Sequence, residues 1–311
     1  MSETDQEEEG EIFFTENLPP AHYDASKSKV EKFCAAQQTR GIVLVTSGGT
    51  TVPLELNTGT VTPIKLWNGK TIVKLQLSFF RKGYSVIFLH RENSLRPFSR
   101  HLPGSSMLSW LTIADGQVVV DKQNNDFVKQ VLQEYKQYSD RLCEIYFTSL
   151  ADYLWLLRMC CLILNSQTSR SILYLAAAVS DFYVPSQKLP RHKLQSSEGP
   201  PDIHLHIVPK MLRPLVGNWA PNCYVASFKL ETDPSILISK AKQALEKYKH
   251  NLVVGNILES RKREVWIITG THEEKIHMSE EEINSGSEIE EKIVAMIEKI
   301  SEEYLIQQQT V

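Results

Sequence analysis

Short, uninterrupted runs of apolar and β-branched residues constrain the fold of this chain more than any other feature. They occupy six stretches of the sequence: 41–46, 84–89, 144–148, 172–178, 223–228 and 251–254. Strands that are apolar at successive positions are buried on both faces, which is typical of a parallel sheet covered by helices. Helical patterns separate several of these runs, and crossovers between parallel strands are right-handed. The sequence therefore predicts an α/β fold that is Rossmann-like and doubly wound, with a mostly parallel sheet flanked by helices.

Helices, a hairpin and an acidic tail complete the expected organisation. Apolar periodicity and capping residues predict helices at 26–39, 150–165, 234–248 and 287–305. The runs 265–268 and 275–278 flank a glycine-containing turn and predict a C-terminal hairpin. Residues 1–24 are acidic, include Pro19 and Pro20 near their end and predict a disordered, solvated tail. No internal repeat is evident, so we expect 25–311 to form a single domain.

Overall charge excludes two classes of partner. The 311 residues include 34 Lys and Arg against 37 Asp and Glu, which gives a formal net charge of −3. A chain so close to neutrality has no global attraction for nucleic acid or for an anionic membrane, and we expect neither as a partner. A phosphate-bearing ligand would therefore have to be held by a local site.

The sequence gives no sign of export or of a metal site. The acidic N-terminus lacks the basic and apolar segments of a secretory signal. The longest apolar run, 153–164, is too short to span a bilayer and includes Arg158. Five cysteines without metal-ligand spacing fit reduced thiols. We expect a cytoplasmic protein whose own side chains form no metal site.

Ligands of doubly wound sheets bind beyond the carboxyl ends of the strands, which directs attention to the loops that follow each run. The first run is followed by Ser47, Gly48, Gly49 and Thr50. Two glycines would let a phosphate approach exposed backbone N–H groups. The spacing is neither that of a dinucleotide-binding motif nor that of a P-loop, so a plain tight turn is an equally good interpretation.

Three small residues and an aspartate end the fourth run. Ala176 and Ala177 would let a ligand lie against the backbone, and Asp181 follows where a doubly wound site would form. The alternative is ordinary packing of a strand, with Asp181 capping the next turn. Downstream, Lys193 lies in a basic loop flanked by a proline, where it could neutralise charge that develops during a reaction. A solvated loop is the simpler alternative.

Three more positions are candidates because of their place near strand ends. The Phe228 ring could stack on a base or pack in the core, Lys242 could bind a ligand or be exposed, and Asn256 could read a base or an amide. No motif for nucleophilic or zinc-dependent catalysis is present. A reaction managed by positioning and charge stabilisation fits better. A dinucleotide-dependent oxidoreductase is disfavoured, because no GxGxxG follows the first run.

Taken in order, these segments resemble the eukaryotic type of phosphopantothenoylcysteine synthetase, that is, phosphopantothenate–cysteine ligase. The resemblance extends from about residue 30 to about residue 300. It rests on VTSGGTTVPLE, TSLADYLWLL, YLAAAVSDFYVP, RHKLQSSEGP, SFKLETDP and VVGNILESR. The pair AAAVSDFYVP and HKLQSS is the most specific part.

This resemblance implies a ligase of coenzyme A biosynthesis. The carboxylate of 4′-phosphopantothenate would be activated as an acyl-nucleotide and then attacked by the amine of L-cysteine. ATP would be the nucleotide, with CTP as the alternative used by many bacterial relatives, together with Mg²⁺ and without flavin. The resemblance also implies a homodimer and assigns the residues 25–311 to one nucleotide-binding ligase domain.

Individual site residues follow from the same resemblance. It assigns Lys193 to turnover of the activated intermediate and Asp181 to the segment that touches nucleotide and substrate. It also assigns a set of nucleotide contacts: Gly48, Gly49, Ala176, Ala177, Phe228, Lys242 and Asn256.

One interval departs from the family pattern. The family motif DNFSSG, expected after VPLE, is missing from 56–82, and the resemblance resumes at Gly83. A catalytically impaired homologue that only binds nucleotide or forms a dimer is therefore the alternative to an enzyme. A local change of reading frame would explain the sharp boundaries, and sequencing of the transcript would test it.

Overall fold

The computed structural model describes residues 3–37, 41–53, 61–63, 70–167, 170–190, 199 and 202–309. The strands, in chain order, are β1 (Ile42–Ser47), β2 (Thr51–Pro53), β3 (Val61–Pro63), β4 (Ser85–Arg91), β5 (Leu111–Ala114), β6 (Gln117–Val120), β7 (Leu142–Phe147), β8 (Ser171–Leu175), β9 (Phe182–Tyr183), β10 (His206–Ile207), β11 (Tyr224–Glu231), β12 (Leu252–Ile257), β13 (Glu264–Ile268) and β14 (Glu273–His277). The α-helices are α1 (Glu3–Glu16), α2 (Tyr23–Ala36), α3 (Lys70–Arg81), α4 (Asn125–Tyr138), α5 (Leu150–Gln167), α6 (Leu212–Pro214), α7 (Pro234–Tyr248), α8 (Glu280–Asn284) and α9 (Ile289–Gln309).

Eight strands form the central sheet, in the order β14-β13-β12-β11-β8-β1-β4-β7. The six strands from β12 to β7 are parallel, and they correspond to the six apolar runs. The β13–β14 hairpin adds two antiparallel strands at one edge. The prediction of an α/β fold with a mostly parallel sheet and a C-terminal hairpin and helix is therefore confirmed.

Chain order reverses at β1. From β1 the chain adds β4 and then β7 on one side, and it returns to add β8, β11 and β12 on the other. The carboxyl ends of β1 and β8 consequently diverge into connections that leave in opposite directions. This is the topological switch point at which ligands of doubly wound sheets bind.

Both faces of the sheet are buried. Because successive side chains in a strand point to opposite faces, the apolar runs supply two cores at once. One core lies under α2 and α5, and its sheet residues include Leu44, Ile87, Leu173 and Val225. The other lies under α3 and α9, and its sheet residues include Val45, Phe88, Tyr174 and Val254.

The N-terminal segment corrects one prediction. Residues 3–16 form a helix, and Phe13 and Phe14 are buried with 1% and 6% of their surface exposed. The Phe13 ring lies 5.1 Å from that of Tyr183, and the Phe14 ring lies 4.9 Å from that of Trp155. The disordered tail predicted for residues 1–24 is therefore wrong for these residues. Burial of two aromatic side chains outweighs the acidic composition on which that prediction rested.

The interval that departs from the family pattern contributes to the core. Residues 54–60 and 64–69 lie outside the described residues, but α3 is a helix whose apolar face is fully buried under the sheet: Ile72, Val73, Leu75 and Phe79. Three ion pairs tie this region to α9 and to the residue that precedes it: Lys74 to Glu288 (2.5 Å), Arg81 to Glu291 (2.6 Å) and Lys82 to Glu298 (2.8 Å). Gln76 is also fully buried, yet neither polar atom of its side chain has a hydrogen-bond partner in the structure as described.

No helix in the described part of the chain is both long enough and apolar enough to cross a membrane. The longest apolar helix, α5, packs within the core under the sheet.

Candidate active site

The loops that follow β1 and β8 are bonded to each other at the switch point. The Ala178 N–H donates to the Gly48 carbonyl oxygen (2.8 Å), and the Thr50 N–H donates to the Ala178 carbonyl oxygen (3.2 Å). Gly49 and Ala178 form a parallel bridge between them. The ladder between β1 and β8 therefore continues into the two loops that sequence reasoning selected.

Threonine hydroxyls complete this connection. The Thr46 hydroxyl oxygen accepts from the N–H groups of Ala176 and Ala177, each at 3.1 Å. The Thr50 hydroxyl oxygen accepts from the Ser180 N–H at 2.9 Å. Both threonines are buried, so these bonds satisfy backbone donors that water cannot reach. The backbone of the alanine segment is thereby fixed from the side of β1.

The backbone conformation of Gly48 and its close neighbours explain why this position is a glycine. Its φ of +97° is a left-handed conformation, which side chains rarely adopt. A Cβ atom at this position would lie 2.7 Å from Arg91 Cβ and 2.7 Å from Ser94 Oγ. The direct contact between Gly48 and a phosphate, which the resemblance implies, stays a prediction.

A cavity of about 360 Å³ lies beside these loops. It brings together three of the residues selected from the sequence, Ala177, Asp181 and Phe228. Its walls are mainly apolar and come from α5, the strand ends and the segment around α6: Leu154, Leu157, Leu175, Val179, Val208, Met211, Leu212 and Leu215. Its polar lining, besides Asp181, is Tyr153, Ser180, Lys210, Ser227 and Tyr248. An apolar cavity with a few converging polar groups is suited to a small organic molecule.

Asp181 pairs with a cation at the cavity. Its carboxylate lies 3.0 Å from Lys210 Nζ, and both side chains are about half exposed. Its carbonyl oxygen accepts from the Val208 N–H at 2.9 Å, which joins the strand-end segment to the far wall. Lys210 was not selected from the sequence, because a lysine in a loop carries no distinguishing pattern.

Two buried polar atoms near the carboxyl ends of the parallel strands have no hydrogen-bond partner in the described structure. They are the Ser47 hydroxyl oxygen and the Asn256 side-chain oxygen. Each residue follows by two positions a strand residue, Val45 or Val254, that packs in the core under α3 and α9. Alternation therefore points both side chains to the same face of the sheet. Unpartnered buried acceptors on one face are available to a ligand that carries donors.

The strand boundaries correct two details of the sequence interpretation. β12 continues to Ile257, so Asn256 lies within a strand instead of after it. β11 continues to Glu231, so Phe228 also lies within its strand, half-buried against the core under α3 and α9. The predicted ends were too early because glycine and lysine interrupt the apolar runs.

Of the two selected lysines, only Lys242 lies within the described residues. Lys242 lies on α7, about half exposed, and pairs with Glu273 of β14 at 2.9 Å. It does not line the cavity. Lys193 lies outside the described residues. Both assignments stay predictions from the resemblance.

Two contacts of the site escaped sequence reasoning. The Ser227 hydroxyl lies 2.8 Å from His250 Nε2, and Ser227 lines the cavity. Burial lowers the pKa of His250 to about 4, so the ring is neutral at neutral pH. Burial also raises the pKa of Tyr153, whose hydroxyl shares a hydrogen bond with Thr46. No local sequence pattern predicts either contact, because the two partners are far apart in the sequence.

The described residues contain no cluster of metal ligands and no exposed cysteine. No group of three or more His, Cys, Asp or Glu side chains there could hold a metal ion. The five cysteines are buried and free. Burial raises the pKa of Cys34 and of Cys223 to about 12, so both thiols remain protonated at neutral pH.

Comparison with known proteins places this site in context. A family model described as the C-terminal domain of the DNA/pantothenate metabolism flavoprotein matches residues 157–300. The phosphopantothenate–cysteine ligase of Homo sapiens is 44% identical over 269 residues, which are 83% of this chain and 85% of that protein. Phosphopantothenate–cysteine ligase CAB2 of Saccharomyces cerevisiae is 38% identical over 287 residues, which are 84% of this chain and 78% of that protein.

A solved structure matches nearly the whole chain. It is a Cab2 mutant in complex with phosphopantothenate-cysteine, and it is 34% identical with a TM-score of 0.85. The match covers 96% of this chain and 99% of that one.

Proposed function

The chain belongs to the phosphopantothenate–cysteine ligase family, and we propose that it joins 4′-phosphopantothenate to L-cysteine in coenzyme A biosynthesis. The observation that carries this proposal is the 44% identity to the human ligase over 83% of this chain. The likeness to a structure in complex with phosphopantothenate-cysteine supports it. The comparisons give no support to the alternative of a catalytically impaired homologue.

The proposed reaction has two steps. The carboxylate of 4′-phosphopantothenate attacks the α-phosphorus of a nucleoside triphosphate, and pyrophosphate leaves as the acyl-nucleotide forms. The neutral amine of cysteine then attacks the acyl carbon, and the nucleoside monophosphate leaves as the amide bond forms. Both steps depend on holding reactants in line and on stabilising phosphate charge, which suits a site made of backbone N–H groups and small side chains.

The nucleotide would lie across the carboxyl ends of β1, β8, β11 and β12. Its phosphates would approach the loop with Gly48 and Gly49, and its base would lie near Phe228 and Asn256. The unpartnered Asn256 amide oxygen would accept from a donor on the base, and the unpartnered Ser47 hydroxyl would donate to a phosphate oxygen. We propose ATP as the nucleotide, with CTP as the alternative to be assayed beside it.

Mg²⁺ would enter with the nucleotide. A small, strongly hydrated cation of this kind is held mainly by phosphate oxygens and water in nucleotide sites, so it needs few protein ligands. The carboxylate of Asp181 is the acidic group of the cavity. Lys193 would neutralise charge on the activated intermediate during its turnover.

A homodimer is the proposed assembly, and an exposed apolar hairpin supports it. β5 and β6 form a two-stranded hairpin outside the main sheet, and Ile113 and Val118 on it are 76% and 71% exposed. Leu132 and Tyr135 on α4 are also exposed. Two exposed β-branched side chains on one short hairpin are consistent with an interface between proteins. Light scattering on the purified chain and on Val118→Glu tests this; a monomeric wild-type chain contradicts it.

A pyrophosphate-release assay tests the proposed activity. We expect release that requires 4′-phosphopantothenate, and formation of the cysteine conjugate when cysteine is added. Lys193→Ala should reduce conjugate formation at least tenfold, because charge on the intermediate loses its counterion. Exposed Lys299→Ala is the matched control. Nucleotide binding without phosphopantothenate-dependent pyrophosphate release would establish the non-catalytic alternative.

A further inference from the structure

Ser227 and His250 form a polar pair at the wall of the cavity. Ser227 lies in the middle of β11, where Leu175 of β8 and Val253 of β12 flank it in the sheet. It is half-buried and lines the cavity, whereas His250 is 5% exposed and lies behind it. Ser227 Oγ and His250 Nε2 are 2.8 Å apart. The two neighbouring strands therefore fix the position of Ser227 at the wall of the cavity.

The position of the imidazole proton decides what this hydroxyl can do. A neutral imidazole carries one N–H, and His250 Nδ1 is buried without a partner in the described structure. A proton on Nδ1 would leave an orphaned N–H donor, which is rarer in proteins than an orphaned acceptor. The proton therefore belongs on Nε2, which donates to Ser227 Oγ. The hydroxyl proton of Ser227 is then directed away from the imidazole.

We propose that the Ser227 hydroxyl donates a hydrogen bond to a carbonyl oxygen of the acyl substrate in the cavity, and that His250 holds the hydroxyl in this orientation. Ser227 is then a specificity-determining residue, and His250 is a positioning residue. The inference rests on the proposed function for the identity of the substrate.

The cavity matches the chemistry of that substrate. Its walls are mainly aliphatic, and its charged groups are Asp181 and Lys210. 4′-Phosphopantothenate combines a branched alkyl segment with an internal amide, so its body requires apolar walls and its amide carbonyl requires a donor. A hydroxyl donor at the cavity wall disfavours ligands that cannot accept its hydrogen bond.

Steady-state kinetics of Ser227→Ala test the specificity role. We expect the KM for 4′-phosphopantothenate to rise about threefold to tenfold, the range for one neutral hydrogen bond. The KM values for nucleotide and cysteine should stay within about twofold, and Ser227→Thr, which keeps the hydroxyl, should restore binding. Ser239→Ala, an exposed serine on α7, is the matched control. A rise in the KM for nucleotide instead, or an unchanged KM for phosphopantothenate, would overturn the proposal.

A substrate analogue separates a direct contact from a change in structure. In this analogue a trans-alkene replaces the amide, so no carbonyl oxygen is present. Ser227→Ala should leave its affinity unchanged, whereas a structural defect would weaken both ligands equally. His250→Gln should raise the KM for phosphopantothenate less than Ser227→Ala does and should leave kcat within about twofold, because the hydroxyl remains but is less well oriented.

Direct calorimetry with 4′-phosphopantothenate distinguishes failure of this inference from failure of the proposed function. A wild-type chain that forms no conjugate but binds phosphopantothenate more tightly than Ser227→Ala would refute the activity and retain the contact. Binding that is equal in both proteins, or absent from both, would refute the contact.

Discussion

The switch-point loops and the α3 helix lie against the same sheet, yet they differ in whether their buried polar groups have hydrogen-bond partners. In the loops, the buried hydroxyls of Thr46 and Thr50 accept three hydrogen bonds from backbone donors. In α3, the side chain of Gln76 is equally buried, and neither of its polar atoms has a partner in the described structure.

The two regions therefore make different demands on the sequence, since α3 needs an apolar face and the loops need specific hydrogen-bonding groups. The apolar face of α3 needs only side chains of suitable size and polarity, and cores tolerate many such combinations. The loops need particular hydroxyl groups at particular positions, because each unpaired buried donor is costly. Within the interval that departs from the family pattern, the described helix α3 thus still packs against the core, while the segments that retain the pattern hold the geometry of the site.

Thr46→Val should cause the largest loss of stability. Valine has the shape of threonine but leaves the N–H groups of Ala176 and Ala177 without an acceptor. We expect the free energy of unfolding to fall by about 4 kcal/mol, since each unpaired buried donor costs about 1–3 kcal/mol. Urea denaturation measures this. Thr15→Val, at an exposed helical position, is the control, and an equal effect in both variants would contradict the prediction.

The buried His250 should make the stability of this region depend on pH. Its folded pKa of about 4 lies below the ordinary value of 6.5, so the unfolded chain binds the extra proton first as the pH falls. Stability should be complete above pH 6.5 and should decline by about 3 kcal/mol as the pH approaches 4. His250→Gln should remove this part of the decline in denaturation curves. His272→Gln, at an exposed position, should not, and a matching change there would contradict the assignment.

Gly48 and Gly83 form a matched pair of glycines with positive φ, at +97° and +90°. A Cβ at Gly48 meets Arg91 and Ser94 at 2.7 Å, whereas at Gly83 it meets nothing within 4 Å. Gly83→Ala should cost about 1 kcal/mol for backbone strain alone, and Gly48→Ala about 2–3 kcal/mol, because steric overlap is added. Thermal unfolding measures the difference. Equal losses would mean that the loop relaxes around the new methyl group.

Gln76→Leu should change stability modestly and in the opposite direction. It replaces an unpartnered buried amide with an apolar side chain of similar size, so the free energy of unfolding should rise by about 1–2 kcal/mol. Gln133→Leu, on the exposed side of α4, should change it little. Destabilisation by Gln76→Leu would show that the amide has a partner in the assembled or liganded protein, and the contrast with the loops would disappear.

Much of the fold could be predicted from local pattern. The six apolar runs became the parallel strands, and the helix predicted at 150–165 is observed as α5, Leu150–Gln167. Patterns of this kind predict strands well because a strand that is buried on both faces is apolar at successive positions. The helix α1 was missed for the opposite reason, since its two buried aromatics are surrounded by acidic residues.

The candidate site was predictable only as a set of strand ends. Gly48, Ala177 and Asp181 were selected because parallel strands end at a common edge, and the structure brings these segments together. Ser227 and His250 were missed, since 23 residues separate them and neither belongs to a local motif.

Three features are readable from the amino-acid sequence alone: the α/β class, the edge of the sheet that carries the candidate site and, through its motifs, the ligase family. These features depend on periodicity and on short segments, which are readable without knowledge of the neighbours. The folded structure determines which buried groups find partners: the Thr46 hydroxyl accepts two backbone hydrogen bonds, the Gln76 amide has no partner in the described structure, and Ser227 Oγ lies 2.8 Å from His250 Nε2. Hydrogen bonding between distant segments requires donor and acceptor to be placed to within a few tenths of an ångström, and this placement exists only once the chain has folded.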